Sequence, residues 1–156
     1  MAINGISLVG ICVSDLDRSL RFYCDGLGFT LLRSYEIAGD SWGRVMGVAA
    51  ARVHTRVLRR NQISVELLYF ESPGHVGSPT VRPLNQLGLT HLAVWVDDID
   101  EEMARLIALG GAVVEDTFTV FDEPSFSARW VYCSDPDGTR IELIEHPAGA
   151  AVALGD

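Results

Sequence analysis

Leu8-Val9-Gly10-Ile11-Cys12-Val13-Ser14-Asp15-Leu16-Asp17 returns 83 residues later as His91-Leu92-Ala93-Val94-Trp95-Val96-Asp97-Asp98-Ile99-Asp100. In both copies an apolar strand of about six residues runs into an acidic helix start. Asp15 and Asp98 are suited to cap those helices, because a carboxylate accepts hydrogen bonds from the unpaired amides of a first turn. Leu16, Leu20 and Tyr23 follow at helical spacing, as do Ile99, Met103, Leu106 and Ile107. Glycines close each helix region, Gly26 and Gly28 in one half and Gly110-Gly111 in the other. Each half ends in a related strand, Val65-Glu66-Leu67-Leu68 and Ile141-Glu142-Leu143-Ile144, offset by 76 residues. The first half therefore carries seven more residues between its helix and its last strand.

Two such halves predict an α+β fold in one domain over residues 1–146. The repeats fall at about 5–70 and 88–146, joined by a Pro- and Gly-bearing connector over 71–87 that reads on to Leu89. The small Gly/Ala-rich tail, 147–156, is expected to fray or to lie on a neighbouring subunit. The chain is 48% hydrophobic and 21% charged, ordinary usage for a globular domain. Its net charge of −9 argues against a nucleic-acid partner, since like charges repel the phosphate backbone. Met1-Ala2-Ile3-Asn4-Gly5 lacks a basic leader, and no apolar run reaches the ~20 residues of a membrane span. Cys12, Cys24 and Cys133 form no CxxC pair, so reduced, inert core thiols and a cytoplasmic location are expected.

Three segments carry a family resemblance: LVGICVSDLDRSLRFYCDGLGF over 8–29, LTHLAVWVDDID over 89–100, and SDPDGTRIELIE over 134–145. The chain resembles the vicinal-oxygen-chelate superfamily of glyoxalases, bleomycin-resistance proteins and dioxygenases. That resemblance implies two βαβββ modules forming a curved mixed sheet around one central pocket, often in a homodimer. It also implies a metal site at Leu8, Glu66, His91 and Glu142, where the family commonly has His or Gln at the first position. With Leu8 there, a divalent ion (Zn, Ni, Co, Mn or Mg) would rest on Glu66, His91 and Glu142. Extradiol ring cleavage is disfavoured, because its two-His-one-carboxylate triad would need a His at position 8.

The residue pattern bears on the same positions. Leu68 and Phe70 share a strand face with Glu66, Ile144 shares one with Glu142, and Ala93 and Trp95 share one with His91. A carboxylate on an apolar face is costly unless it is paired, protonated or metal-bound. Two carboxylates in a dry cavity would conflict, and either a cation or a protonated His91 would relieve them. Gly10, Cys12, Phe70 and Trp95, with Leu8, should line the substrate pocket.

His54 reads as a surface residue. With a turn at Asn61-Gln62, Val57 opposes Glu66 and Thr55 opposes Leu68, leaving His54 on the other face beside Arg52 and Arg56. Those arginines, with Arg59 and Arg60, read as a solvated hairpin rather than an anion anchor. The functional expectation is a small-molecule isomerase, epimerase or lyase working by metal-assisted proton transfer, with Glu66 or Glu142 moving the proton. The alternative is a metal-free drug- or metabolite-binding protein of the bleomycin-resistance type.

Overall fold

Asp15 accepts a hydrogen bond from the amide of Arg18, and Asp98 accepts from the amides of Asp100 and Glu101. Both caps thus fall where the repeat puts them. The computed structural model describes residues 3–124 and 126–147, so the tail beyond Pro147 lies outside the described residues. The chain forms two compact units, Met1–Ser78 and Pro79–Asp156.

The first unit contains β1 (Val9–Cys12), α1 (Leu16–Arg21), β2 (Thr30–Ala38), α2 (Asp40–Met46), β3 (Arg52–Arg60) and β4 (Ile63–Ser72). Its sheet order is β1-β4-β3-β2, with β1 parallel to β4 and the other pairs antiparallel. β4 runs two residues past the predicted end, so the connector begins at Pro73 rather than at Glu71. α1 passes into a π-helical turn over Phe22–Gly26, with Leu27 N bonded to Phe22 O at 3.1 Å. The wider turn accommodates two adjacent buried aromatic side chains, Phe22 and Tyr23, edge to face at 5.5 Å. Ile11, Leu58, Val65 and Leu67 are buried on one face of this sheet. α2 was not expected; it fills the long connection from β2 to β3, which accounts for the surplus length of the first half.

The second unit repeats the plan: β5 (Leu92–Val96), α3 (Ile99–Ala108), β6 (Ala112–Val113), β7 (Thr119–Glu123), β8 (Phe126–Ser134) and β9 (Arg140–Glu145). Here β5 is parallel to β9, β9 pairs with β8, and β6 and β7 both pair with β8. The pair β6 and β7 corresponds to β2 with an interruption. Thr117 bridges the gap: its hydroxyl donates to Val114 O at 2.7 Å and accepts from Tyr132 N at 3.1 Å. α3 contributes fully buried Ile99 and Leu106, and Val131, Cys133, Ile141 and Leu143 are buried on one side of the strands. Glu145 accepts from Ile99 N at 2.6 Å and pairs with Arg129 at 3.1 Å, which ties the start of α3 to the end of β9. Gly28 and Gly110 adopt φ of 69° and 91° after their helices, the left-handed region that disfavours a side chain.

The offsets read from sequence hold in both sheets. Val9 pairs with Val65 as Leu92 pairs with Ile141, so Gly10 stands beside Glu66 and Ala93 beside Glu142. No disulfide links the cysteines; Cys133 is buried, Cys24 half-buried, and Cys12 exposed rather than in the core. Burial raises the Cys133 thiol to about 11, aided by nearby Glu102, so it stays protonated and inert. No helix among the described residues is long and apolar enough to cross a membrane.

Candidate active site

Glu142 lies in the middle of β9 on the sheet face opposite α3, and only 8% of it is exposed. Burying a carboxylate there requires partners, and two side chains supply them. His91, just before β5, brings Nε2 to 3.2 Å from Glu142 Oε2. Its other nitrogen, Nδ1, lies 2.9 Å from Thr90 Oγ1, which fixes the ring orientation. Tyr132, the cross-strand neighbour of Glu142 on β8, hydrogen-bonds the carboxylate through its hydroxyl. Its ring stands edge-on to His91 at 5.6 Å.

Desolvation, reinforced by the hydrogen bond and negative charge of Glu142, pushes the Tyr132 phenol up to about 12. Arg140, whose guanidinium lies 5.1 Å from the Tyr132 ring centroid, pulls the other way but does not prevail. Arg140 is itself buried and donates to Arg82 O. Tyr132 is therefore a neutral hydrogen-bond donor throughout the physiological range. A buried carboxylate and an oriented imidazole can together hold a cation or take up a proton, while the phenol holds the carboxylate in place.

Further along the same face stand Trp95, Ile144 and Trp130 in register, two residues from Ala93, Glu142 and Tyr132. Trp95, expected in the pocket wall, is 40% exposed and lies 4.6 Å from the ring of His146.

In the first unit, register puts Gly10, Cys12, Glu66, Leu68 and Phe70 on one sheet face. A Cβ on Gly10 would meet Leu68 Cδ1 at 3.3 Å, which confirms that these two share a side. Leu8 is half-buried immediately before β1. Glu66 is half-buried between Gly10 and Val57, with no hydrogen-bond or ion-pair partner among the described residues. A bulge at Leu32 brings Arg33, instead of Leu32, opposite Val57 and onto the Glu66 face.

His54 pairs with Tyr69 on the face opposite Glu66, as the hairpin register required. Its ring is not idle: Nε2 lies 2.9 Å from Glu71 Oε2, and Nδ1 contacts Glu36. Arg56 joins Glu36 at 3.3 Å, Arg59 donates to Ser64 Oγ at 3.4 Å and Arg60 to Leu27 O. Arg59 thus serves the hairpin itself, while Arg56 and Arg60 tie it to β2 and to the segment after α1. Among the described residues no three His, Cys, Asp or Glu side chains gather in a metal-holding group.

Tyr132, Arg140, Trp130 and His146 were missed in the sequence. The signal was available for two of them: Trp130 and Tyr132 alternate on one strand, and pairing that strand with Ile141–Ile144 puts Tyr132 beside Glu142. The interruption between β6 and β7 hid the strand boundaries that would have fixed the pairing.

A family model described as the Glyoxalase/Bleomycin resistance protein/Dioxygenase superfamily matches residues 5–143. A 2-epi-5-epi-valiolone epimerase from Actinomyces is 34% identical over 150 residues, covering 91% of this chain and 79% of that protein. A lactoylglutathione lyase from Haemophilus influenzae is 32% identical over 139 residues, covering 86% and 87%. Among solved structures, a glyoxalase family protein from Bacillus cereus superposes with a TM-score of 0.77 at 29% identity, covering 93% of this chain and 97% of its own.

Proposed function

The chain belongs to the Glyoxalase/Bleomycin resistance protein/Dioxygenase superfamily, and from that premise we propose that it is an isomerase, epimerase or lyase that moves a proton beside a substrate carbonyl. The observation that carries this reading is the buried Glu142 with His91 Nε2 at 3.2 Å and Tyr132 donating to it. An imidazole nitrogen and a carboxylate oxygen so close, with the ring's far nitrogen held by Thr90, suit a borderline divalent ion such as Zn, Ni, Co or Mn, and Mg less well. An ion held by that pair would supply Lewis acidity to substrate oxygens. Glu66, half-buried and with no partner among the described residues, is the equivalent carboxylate of the first unit.

The chain's own groups do the rest. Glu66 or Glu142 takes the proton from the carbon beside the carbonyl and returns it, on the same or the other face. Tyr132, kept neutral by burial, spends its one hydrogen bond on Glu142 and so holds that carboxylate in place. Thr90 positions His91. Relatives named as an epimerase and as lyases carry out chemistry of this type. The proposal includes a cytoplasmic homodimer acting on a small molecule.

Leu8, where the family commonly has His or Gln, favours a second reading: a metal-free protein that sequesters a small molecule. Metal analysis of the purified protein, with deuterium uptake from solvent assayed on a panel of 2-oxo and 2-hydroxy carbonyl compounds, separates the two. The enzyme reading expects bound metal and exchange that stops on chelation. Exchange undiminished by chelation, or none on any compound, would move the assignment to the second reading.

A further inference from the structure

The open face of the second sheet carries more than the acid–base group. Trp95 and His146 stack at 4.6 Å and 43°. Phe126 lies 6.1 Å from His146 and 6.1 Å from Trp130, and Phe121 lies 5.6 Å from Phe126 and 5.9 Å from Trp130. Five rings thus form one continuous shelf. Trp95, Phe121 and Phe126 each stay 37–40% exposed, so the shelf presents ring surface outward. Two polar ring atoms within it, Trp130 Nε1 and His146 Nε2, are buried with no hydrogen-bond partner among the described residues.

Distance joins this shelf to the chemistry. The row Trp95-Ile144-Trp130 is two residues along the strands from the row Ala93-Glu142-Tyr132, about 7 Å at the usual strand rise. A substrate whose carbonyl engages Glu142 and Tyr132 would reach the shelf with a group one or two carbons away. Offset stacking favours a flat ring there over an aliphatic group of equal bulk.

We infer that the rings of Trp95, His146, Phe126, Trp130 and Phe121 form a substrate subsite for a planar ring borne one or two carbons from the reacting carbonyl. This deepens the proposed function and rests on it for the identity of the carbonyl end. The occupant is a small molecule because the shelf continues directly from the Glu142 group along the same strands.

The test is calorimetric titration of the intact protein with phenylpyruvate and with 3-cyclohexyl-2-oxopropanoate, which share the 2-oxo acid head and carry six-carbon rings of similar bulk. Phenylpyruvate should bind about fivefold more tightly, the margin expected of one aromatic pair. Trp95→Leu should erase that preference while leaving the aliphatic compound's affinity within about twofold, a change too small to reflect a lost stacking contact. Equal affinities in the wild type, no binding of either probe, or a preference that survives Trp95→Leu would overturn the inference. So would a change of oligomeric state in Trp95→Leu by sedimentation, which would make the shelf a protein interface. Failure of the acid–base reading looks different: His91→Ala would then leave deuterium exchange intact, whatever the ring preference.

Discussion

The two units share a scaffold and differ in what they mount on it. Gly10, Cys12, Glu66 and Leu68 of the first sheet stand in the register of Ala93, Trp95, Glu142 and Ile144 of the second. Across the hairpin, Val57 and Thr55 stand where Tyr132 and Trp130 do. Before the first strand, Leu8 stands where His91 does. One carboxylate is kept at the same place in both. Glu142 is surrounded by imidazole, phenol and aromatic rings, whereas Glu66 faces Val57 and Gly10 and has no partner among the described residues. The repeat specifies where a strand side chain points, and the chemistry depends on which side chains occupy those places.

The sharpest break in this comparison is at the pair itself. Glu142→Gln or His91→Ala should cut turnover roughly a thousandfold, the usual scale for losing a positioned acid–base group. Circular dichroism should show the fold kept. Near-normal kcat/KM in either variant would put the chemistry elsewhere.

Tyr132→Phe removes the donor to Glu142, which the first unit also lacks, and should cost roughly tenfold in kcat, as for losing a group that orients a catalytic side chain. A stability effect accompanies it. The phenol's folded pKa, about 12, lies above its ordinary 10, so the neutral form is favoured by folding. That contribution is complete below about pH 10 and is lost as pH rises through about 12. Urea unfolding at pH 8 and pH 11.5 should therefore show a larger alkaline loss in wild type than in Tyr132→Phe. Parallel losses would mean that folding does not raise the Tyr132 phenol.

Much of this was legible beforehand. The 83-residue and 76-residue offsets gave both parallel strand pairs in register, and the Asn61-Gln62 turn gave the β3–β4 pairing through Val57 and Glu66. Three features were not. The bulge at Leu32 turns Arg33 toward the Glu66 face, and period-two counting cannot anticipate an extra residue. The π-helical turn at Phe22–Gly26 conforms to no 3.6-residue pattern. Thr117 replaces strand pairing between β6 and β7 with a side-chain bridge, which concealed the partner strand of Glu142 and with it Tyr132. Each is a local departure from periodicity caused by tertiary packing or a side-chain hydrogen bond.

Smaller effects sharpen the same comparison. Leu8→His gives the first unit the imidazole that the second has, and should tighten nickel or zinc binding about tenfold while changing magnesium little, following ligand softness. Leucine and imidazole are close in bulk, so packing should survive. Equal affinities by calorimetric titration would mean that Leu8 does not face the metal site. Gly10→Ala copies Ala93 into the first sheet; with Leu68 Cδ1 at 3.3 Å a side-chain shift should suffice. Chemical denaturation should register a loss of no more than about 1 kcal/mol.

The central proposal is that the second unit's His91–Glu142 pair holds a divalent ion. Titration of metal-stripped protein with manganese, followed by electron paramagnetic resonance, tests it directly in wild type, His91→Ala and Glu142→Gln. The account predicts one site per chain and a loss of at least tenfold in affinity in each variant, about 1.4 kcal/mol or more. Wild-type affinity in either variant would contradict it.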